Sequence, residues 1–151
     1  MSGYRDMSIK IRHIETYPLR AMVGSTPTSS LGAMAGRNGL LVRILDDEGT
    51  YGWGEVWCNF PPHAPVARAH LIDDVIAPHL LDRSFLSFND VRPWLEKQFR
   101  RMAIHTGEPG AFSHCIAGLD LAILDLAGRR SGIPVSALLA GQHSVLAIAE
   151  W

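Results

Sequence analysis

Lysine is almost missing from this chain. Lys10 and Lys97 are the only two in 151 residues, and 14 Lys+Arg against 15 Asp+Glu leave a formal net charge of −1. With no basic stripe, the chain lacks the electrostatic footprint of a nucleic-acid binder, so no nucleic acid partner is expected. Cysteine is scarce too. Cys58 and Cys115 lie far apart and form no CxxC, which excludes a disulfide framework. They read as reduced thiols, and the chain is placed in the cytoplasm. No apolar run approaches the roughly 20 residues that span a bilayer. The opening "MSGYRDMS" has no apolar h-region, so neither a membrane nor a secretory leader is expected. The seven histidines never fall at HxH or HExxH spacing, which argues against a local zinc site.

What is present is apolar: 47% hydrophobic residues against 19% charged ones, enough for a core in one ordinary domain. Residues 9–19, "IKIRHIETYPL", alternate apolar and polar with a slip at His13–Ile14, the pattern of a half-buried strand with a bulge. Residues 20–39 then lose periodicity. Their Gly, Ser, Thr and Ala content predicts a long functional or disordered loop. Leu40, Val42 and Ile44 mark the next strand. "DDEG" supplies a turn in which Gly49 can take positive φ. The third strand puts Tyr51, Trp53, Glu55 and Trp57 on one face, and Gly52, Gly54 and Val56 on the other. Two bare glycines on one face predict close approach of another backbone. The first sixty residues thus form a three-stranded antiparallel meander.

Prolines 61, 62 and 65 forbid a continuing strand. A helix follows from Ala64, with Leu71, Ile72, Val75 and Ile76 on one face, and Pro78 is expected to end it. A second helix opens at Asn89 or Asp90 with the stripe Val91, Trp94, Leu95, Phe99 and Met102. The third, about Ala111 to Arg130, has one stripe of Ile116, Leu119, Ile123 and Leu126. Ala117, Leu121 and Leu124 form another on the far side; the sheet can cover only one of the two, so the other is expected to be covered by the neighbouring helices, by another chain or by a further domain. "IPVSALLAG" starts a short further helix.

Asp120 and Asp125 sit inside that third helix. Five positions at 100° each turn them roughly 140° apart, so they cannot converge on one substrate. Each is expected to be structural, satisfied by a neighbour or a helix end, because a lone buried carboxylate is costly. Glu55, flanked by Trp53 and Trp57, is likewise read as a structural hydrogen-bond partner that reaches the long first loop.

This order of elements, with "GWGE" in the third strand and "AGLDLAILDLAGRRSGIPVSALLAG" at residues 117–141, resembles the N-terminal capping domain of the mandelate racemase/muconate lactonizing enzyme group of the enolase superfamily. The matching positions are Leu119, Asp120, Asp125, Leu126, Ala127, Gly128, Gly132, Pro134, Leu138, Leu139 and Gly141. Leu124 and Ala140 depart from the Trp and Gly common there. The resemblance implies an α+β fold, a three-stranded meander followed by three to four helices. It implies a tail at 1–7, a capping domain at 8–141, and a linker with the first strand of a (β/α)8 barrel at 142–151. A barrel of about 250 residues cannot fit in what remains, so the catalytic residues are expected beyond Trp151 and the chain alone is expected to be inactive.

By the same resemblance, the complete enzyme is a racemase, cycloisomerase or acid-sugar dehydratase that takes the proton α to a carboxylate with help from Mg²⁺. Its partners are a small carboxylic acid, the barrel and further subunits of a homo-oligomer. No catalytic or metal residue is expected in this chain. Two loops would set specificity: Arg20, Met22, Leu31, Met34 and Arg37 from the first, and Trp57, Asn59, Phe60 and His63 from the second. The alternative is a free-standing interaction or small-molecule-binding module that associates through its apolar third helix.

Overall fold

The computed structural model describes residues 7–24, 28–30, 32–33 and 36–140. The tail at 1–6 and the strand expected at 142–151 lie outside them, as do Leu31 and Met34. Met7 packs against the core.

β1 (Ile9–Met22) pairs antiparallel with β4 (Gly36–Asp46), which pairs antiparallel with β5 (Tyr51–Val56). The register shifts between Ile11 and His13. This bulge explains the slip in the sequence, because one extra residue exchanges the faces of a strand. Before it Ile9 and Ile11 point inward; after it Ile14 packs on the core and Thr16 bonds Asp73 at 2.8 Å. Gly49 in the β4–β5 turn has φ 82°.

The expected three-stranded meander is present, and a fourth strand extends it to the order β5-β4-β1-β6, because β6 (Ser84–Phe85) pairs with Ile9 and Lys10. Two residues carry too little pattern to be seen in sequence. Residues 20–39 are not all loop. β1 runs on to Met22 opposite Gly36, and the short strands β2 (Thr28–Ser29) and β3 (Gly32–Ala33) pair with each other beyond it. Residues 18–22 are all exposed; without a buried face, a strand has no alternation to display.

The helices cover one face of the sheet. α1 (Ala64–His70) passes through a π-helical turn at Leu71–Ile76 into α2 (Ala77–Leu80). Pro78 therefore does not end the helix. In the widened turn Ala77 N–H bonds Ile72 O, and the ladder accommodates a residue that donates nothing. A 3₁₀ turn at Phe88–Asp90 leads into α3 (Val91–His105), and Ser87 rather than Asn89 or Asp90 supplies the cap, in a reciprocal box with Asp90. On α3, Ala103 is buried where Met102 was expected; Met102 is 44% exposed.

α4 (Pro109–Ser131) is the central helix, closed by Gly132 at φ 65° and followed by α5 (Val135–Ala140). By length and composition α4 is apolar enough to cross a membrane, but half of its most apolar stretch is buried inside the fold. Ile116, Leu119, Ile123 and Leu126 face the core. The neighbouring helices do not cover the opposite stripe: Ala117 is exposed, Leu121 is 49% exposed and Leu124 is only half-buried.

Three glycines bring α4 onto β5. A Cβ on Gly54 would lie 2.0 Å from Gly118 O, one on Gly52 2.1 Å from Ala122 O, and one on Gly118 2.3 Å from Val56 Cγ2. Helix backbone rests directly on strand backbone, as the glycine pair predicted.

Candidate specificity loops

The β1–β4 ribbon extends past the helical layer, and strand parity sorts its side chains. Asn38 shares the inner parity of Leu40 and Val42, and Arg20 pairs with Asn38. Arg20, Met22 and Asn38 therefore lie on the helix side, whereas Arg37, paired with Ala21, lies on the other. Met22 is 71% exposed. The Arg20 side chain lies across Gly36, where a Cβ would sit 3.3 Å from its Nε.

The second loop, residues 57–63, leaves the end of β5. Asn38 Nδ2 donates to Asn59 O at 3.0 Å. The two loops singled out in sequence are thus joined, through a residue that sequence reading did not select. Asn38 Oδ1 is buried without a partner among the described residues. Phe60 is half-buried and precedes a cis peptide bond to Pro61. His63 is exposed at the start of α1 and caps nothing.

Trp57 does not continue the strand face of Tyr51, Trp53 and Glu55. β5 ends at Val56, and the Trp57 ring turns onto α4, 5.1 Å from His114. His114 Nδ1 lies 3.2 Å from Arg68 Nη2 on α1. Burial and then the Arg68 charge hold the His114 imidazole below its ordinary pKa. Cys58, in this loop, and Cys115, next to His114 on α4, are free, buried thiols. Burial raises Cys58, and pushes Cys115 up to about 12, against the opposing pull of Arg68 in both cases. Arg68 and His114 were invisible in sequence, since only the crossing of β5 over α4 brings them to Trp57.

The two helix aspartates diverge, each onto its own partners. Asp120 bonds Arg92 on α3 at 3.1 Å, and Asp125 bonds Arg129 and the Trp53 main-chain N–H, both at 2.9 Å. Glu55 is exposed opposite Leu41. No hydrogen bond from it to the first hairpin is found among the described residues. Nor do three His, Cys, Asp or Glu side chains converge there in a way that holds a metal ion. The Mg²⁺ implied by the resemblance does not fit onto the described residues.

Residues 14–140 match the N-terminal domain of the mandelate racemase/muconate lactonizing enzyme family. The chain belongs to that family. A D-mannonate dehydratase of Sphingomonas sp. (strain SKA58) is 32% identical over 108 residues, which are 70% of this chain and 24% of the relative. A mandelate racemase/muconate lactonizing enzyme of Bordetella bronchiseptica RB50 is 39% identical with a TM-score of 0.79, over 89% of this chain and 34% of that one. A Bradyrhizobium enolase, solved with magnesium and mandelic acid, has the same fold at 22% identity and a TM-score of 0.73, over 89% of this chain and 36% of its own. This family member thus spans about a quarter of the curated relative and about a third of the solved chains. Its α+β fold is that of the family's N-terminal capping domain.

Proposed function

We propose that this chain is the specificity-capping domain of a Mg²⁺-dependent enolase-superfamily enzyme acting on a small carboxylic acid, an acid-sugar dehydratase before a racemase or cycloisomerase. The hydrogen bond from Asn38 to Asn59 carries the reading. It makes one unit of two loops at the end of the domain that the helices leave open. Loops on a rigid scaffold are where specificity is commonly placed. The likeness to a D-mannonate dehydratase supports the dehydratase. Arg20 offers a charge to an acid, Met22, Trp57 and Phe60 offer apolar walls, and together they keep water from the substrate. The base and the Mg²⁺ ligands lie outside this domain, so no bond is made or broken by the described residues. The bare Leu121 side of α4 supports packing against a barrel or a second subunit of a homo-oligomer, and the free thiols support a reducing cytoplasm.

Grafting residues 8–141 onto the barrel of the Bordetella relative tests this. The ratio of kcat/KM values across a panel of sugar acids should shift by ~10-fold or more, the scale on which pocket contacts discriminate substrates. A folded graft with the parent's ratios would overturn the proposal.

A further inference from the structure

Trp57, His114 and Arg68 come from three elements and meet at one place. Trp57 is the first residue after β5 and is 56% exposed, yet its ring lies against His114 of α4 at 5.1 Å, tilted by 54°. Arg68 belongs to α1, the helix into which the second loop runs. A guanidinium only donates, so His114 Nδ1 accepts its proton at 3.2 Å and the neutral ring carries its own proton on Nε2. Arg68 is held on α4 a second time, because its carbonyl accepts the Cys115 thiol at 3.8 Å.

We propose that His114 is a positioning residue for the second specificity loop: its neutral imidazole clamps both ends of that loop, Trp57 at the start and Arg68 just beyond its finish, against α4. This rests on reading residues 57–63 as a specificity loop. The middle of the loop is held separately by Asn38 on the Asn59 carbonyl. The loop is therefore pinned at three points, two of them through the His114 ring and the third through Asn38.

Protonating Nδ1 turns the acceptor into a donor and puts a second positive charge 3.2 Å from the guanidinium. The charged group that acts on the ring is Arg68 from α1; the same guanidinium acts on Cys58 after β5 and on Cys115, the neighbour of His114 on α4, and Glu55 of β5 acts on Cys58. Both thiols stay protonated, so the Arg68 charge is the one that acts on the imidazole. Burial and that charge favour the neutral ring in the folded state. The clamp is complete above the ordinary histidine value and is lost as pH falls through the lowered folded one.

The experiment uses the isotopically labelled 1–151 chain. The His114 ring nitrogens should report the Nε2–H tautomer, with a titration midpoint below 6.5. The Trp57 indole N–H signal, assigned with Trp57→Phe, should move with that same midpoint. In His114→Phe, which keeps a ring and removes the acceptor, the Trp57 signal should stop responding to pH. In Arg68→Met the His114 midpoint should rise while burial still holds it under the ordinary value. If His114→Phe does not fold, Arg68→Met carries the same test. A Trp57 signal indifferent to His114 ionisation, or an Nδ1–H tautomer, would overturn the clamp. The domain graft separates this from the capping role. A graft whose altered selectivity survives His114→Phe unchanged sinks the clamp alone. A graft without altered selectivity, in a chain whose Trp57 follows His114, sinks the capping role alone.

Discussion

Asp125 on α4 accepts the main-chain N–H of Trp53 on β5 at 2.9 Å, across 72 positions of sequence. β5 is an edge strand, so N–H groups on its open side have no ladder partner. The carboxylate satisfies one of them, and Arg129, one helical turn on, neutralises the carboxylate. Removing the acceptor should cost about 1.5–3 kcal/mol, the range for a hydrogen bond to a charged group. Asp125→Ala should show this loss in urea unfolding, and Asp125→Asn less of it, because an amide oxygen still accepts from Trp53. An Asp125→Ala midpoint equal to that of the wild type would refute the contribution.

The contact of β5 with α4 should be far less forgiving. In Gly54→Ala the new methyl would meet Gly118 O at 2.0 Å, and both sides of that contact are backbone. Overpacking of this kind costs ~3 kcal/mol or more. Gly39→Ala, with nothing within 4 Å of its Cβ, is the control and should stay within about 1 kcal/mol. Thermal melts of the two variants should differ by many degrees; similar melts would show that α4 slides aside cheaply.

Native thiol chemistry should be slow. Cys115 has no exposed surface, and its pKa of about 12 leaves little thiolate. At pH 8, ionisation alone should make its alkylation by iodoacetamide on the order of 10³-fold slower than in the unfolded chain. Cys58, raised in the same direction by burial, should also be protected. Mass-spectrometric rates with and without urea measure this. Fast native labelling of Cys115 would mean that the helix layer opens readily.

Glu15 should titrate below the usual glutamate range. The Tyr17 hydroxyl bonding it at 2.6 Å is the largest cause; burial works against it, and Arg43 and His13 add to it. Its contribution to stability is therefore present above the unfolded value and lost as pH falls through the folded one. Carboxyl NMR of wild type and Tyr17→Phe should show the midpoint rising when the hydroxyl is removed. An unchanged midpoint would assign the shift to Arg43 instead.

Incubated with Mg²⁺ and a panel of 2-hydroxy and sugar acids in D₂O, the 1–151 chain should place no deuterium at the α-carbon. Proton abstraction there needs a base beside a cation that stabilises the enediolate. Lys10 is half-buried on β1 and Lys97 is exposed on α3. No three ligating side chains converge among the described residues. Exchange above the protein-free control, abolished by chelator, would put the chemistry in this domain.

Much of the fold was legible in the sequence wherever one face of an element is buried and the other is wet. That asymmetry marked β4 by Leu40, Val42 and Ile44, marked α4 by Ile116, Leu119, Ile123 and Leu126, and located the β1 bulge. The bare face of Gly52 and Gly54 announced the helix that lies on it. Legibility failed where burial is not periodic. Residues 20–22 of β1 are exposed on both faces and residues 36–39 of β4 are half-buried except at Arg37, so both stretches lack alternation and read as loop, and β6 is too short to alternate. Pro78 read as a terminator because nothing in the local pattern marks the π turn before it.

The candidate site divides in the same way. Composition marked residues 20–39 as a functional or disordered loop, the family resemblance gave both loops their role in specificity, and helical twist, a local property, fixed that Asp120 and Asp125 diverge. Only the tertiary structure decided that Asn38 reaches Asn59, that Arg37 faces away from Arg20, and that Trp57 leaves its strand for His114. Those relations depend on how residues tens of positions apart are brought within 3–5 Å by the crossing of β5 over α4 and by the pairing of β1 with β4. The glycine face signals that a backbone comes close, but which residues of α4 it meets is decided only when the two elements pack.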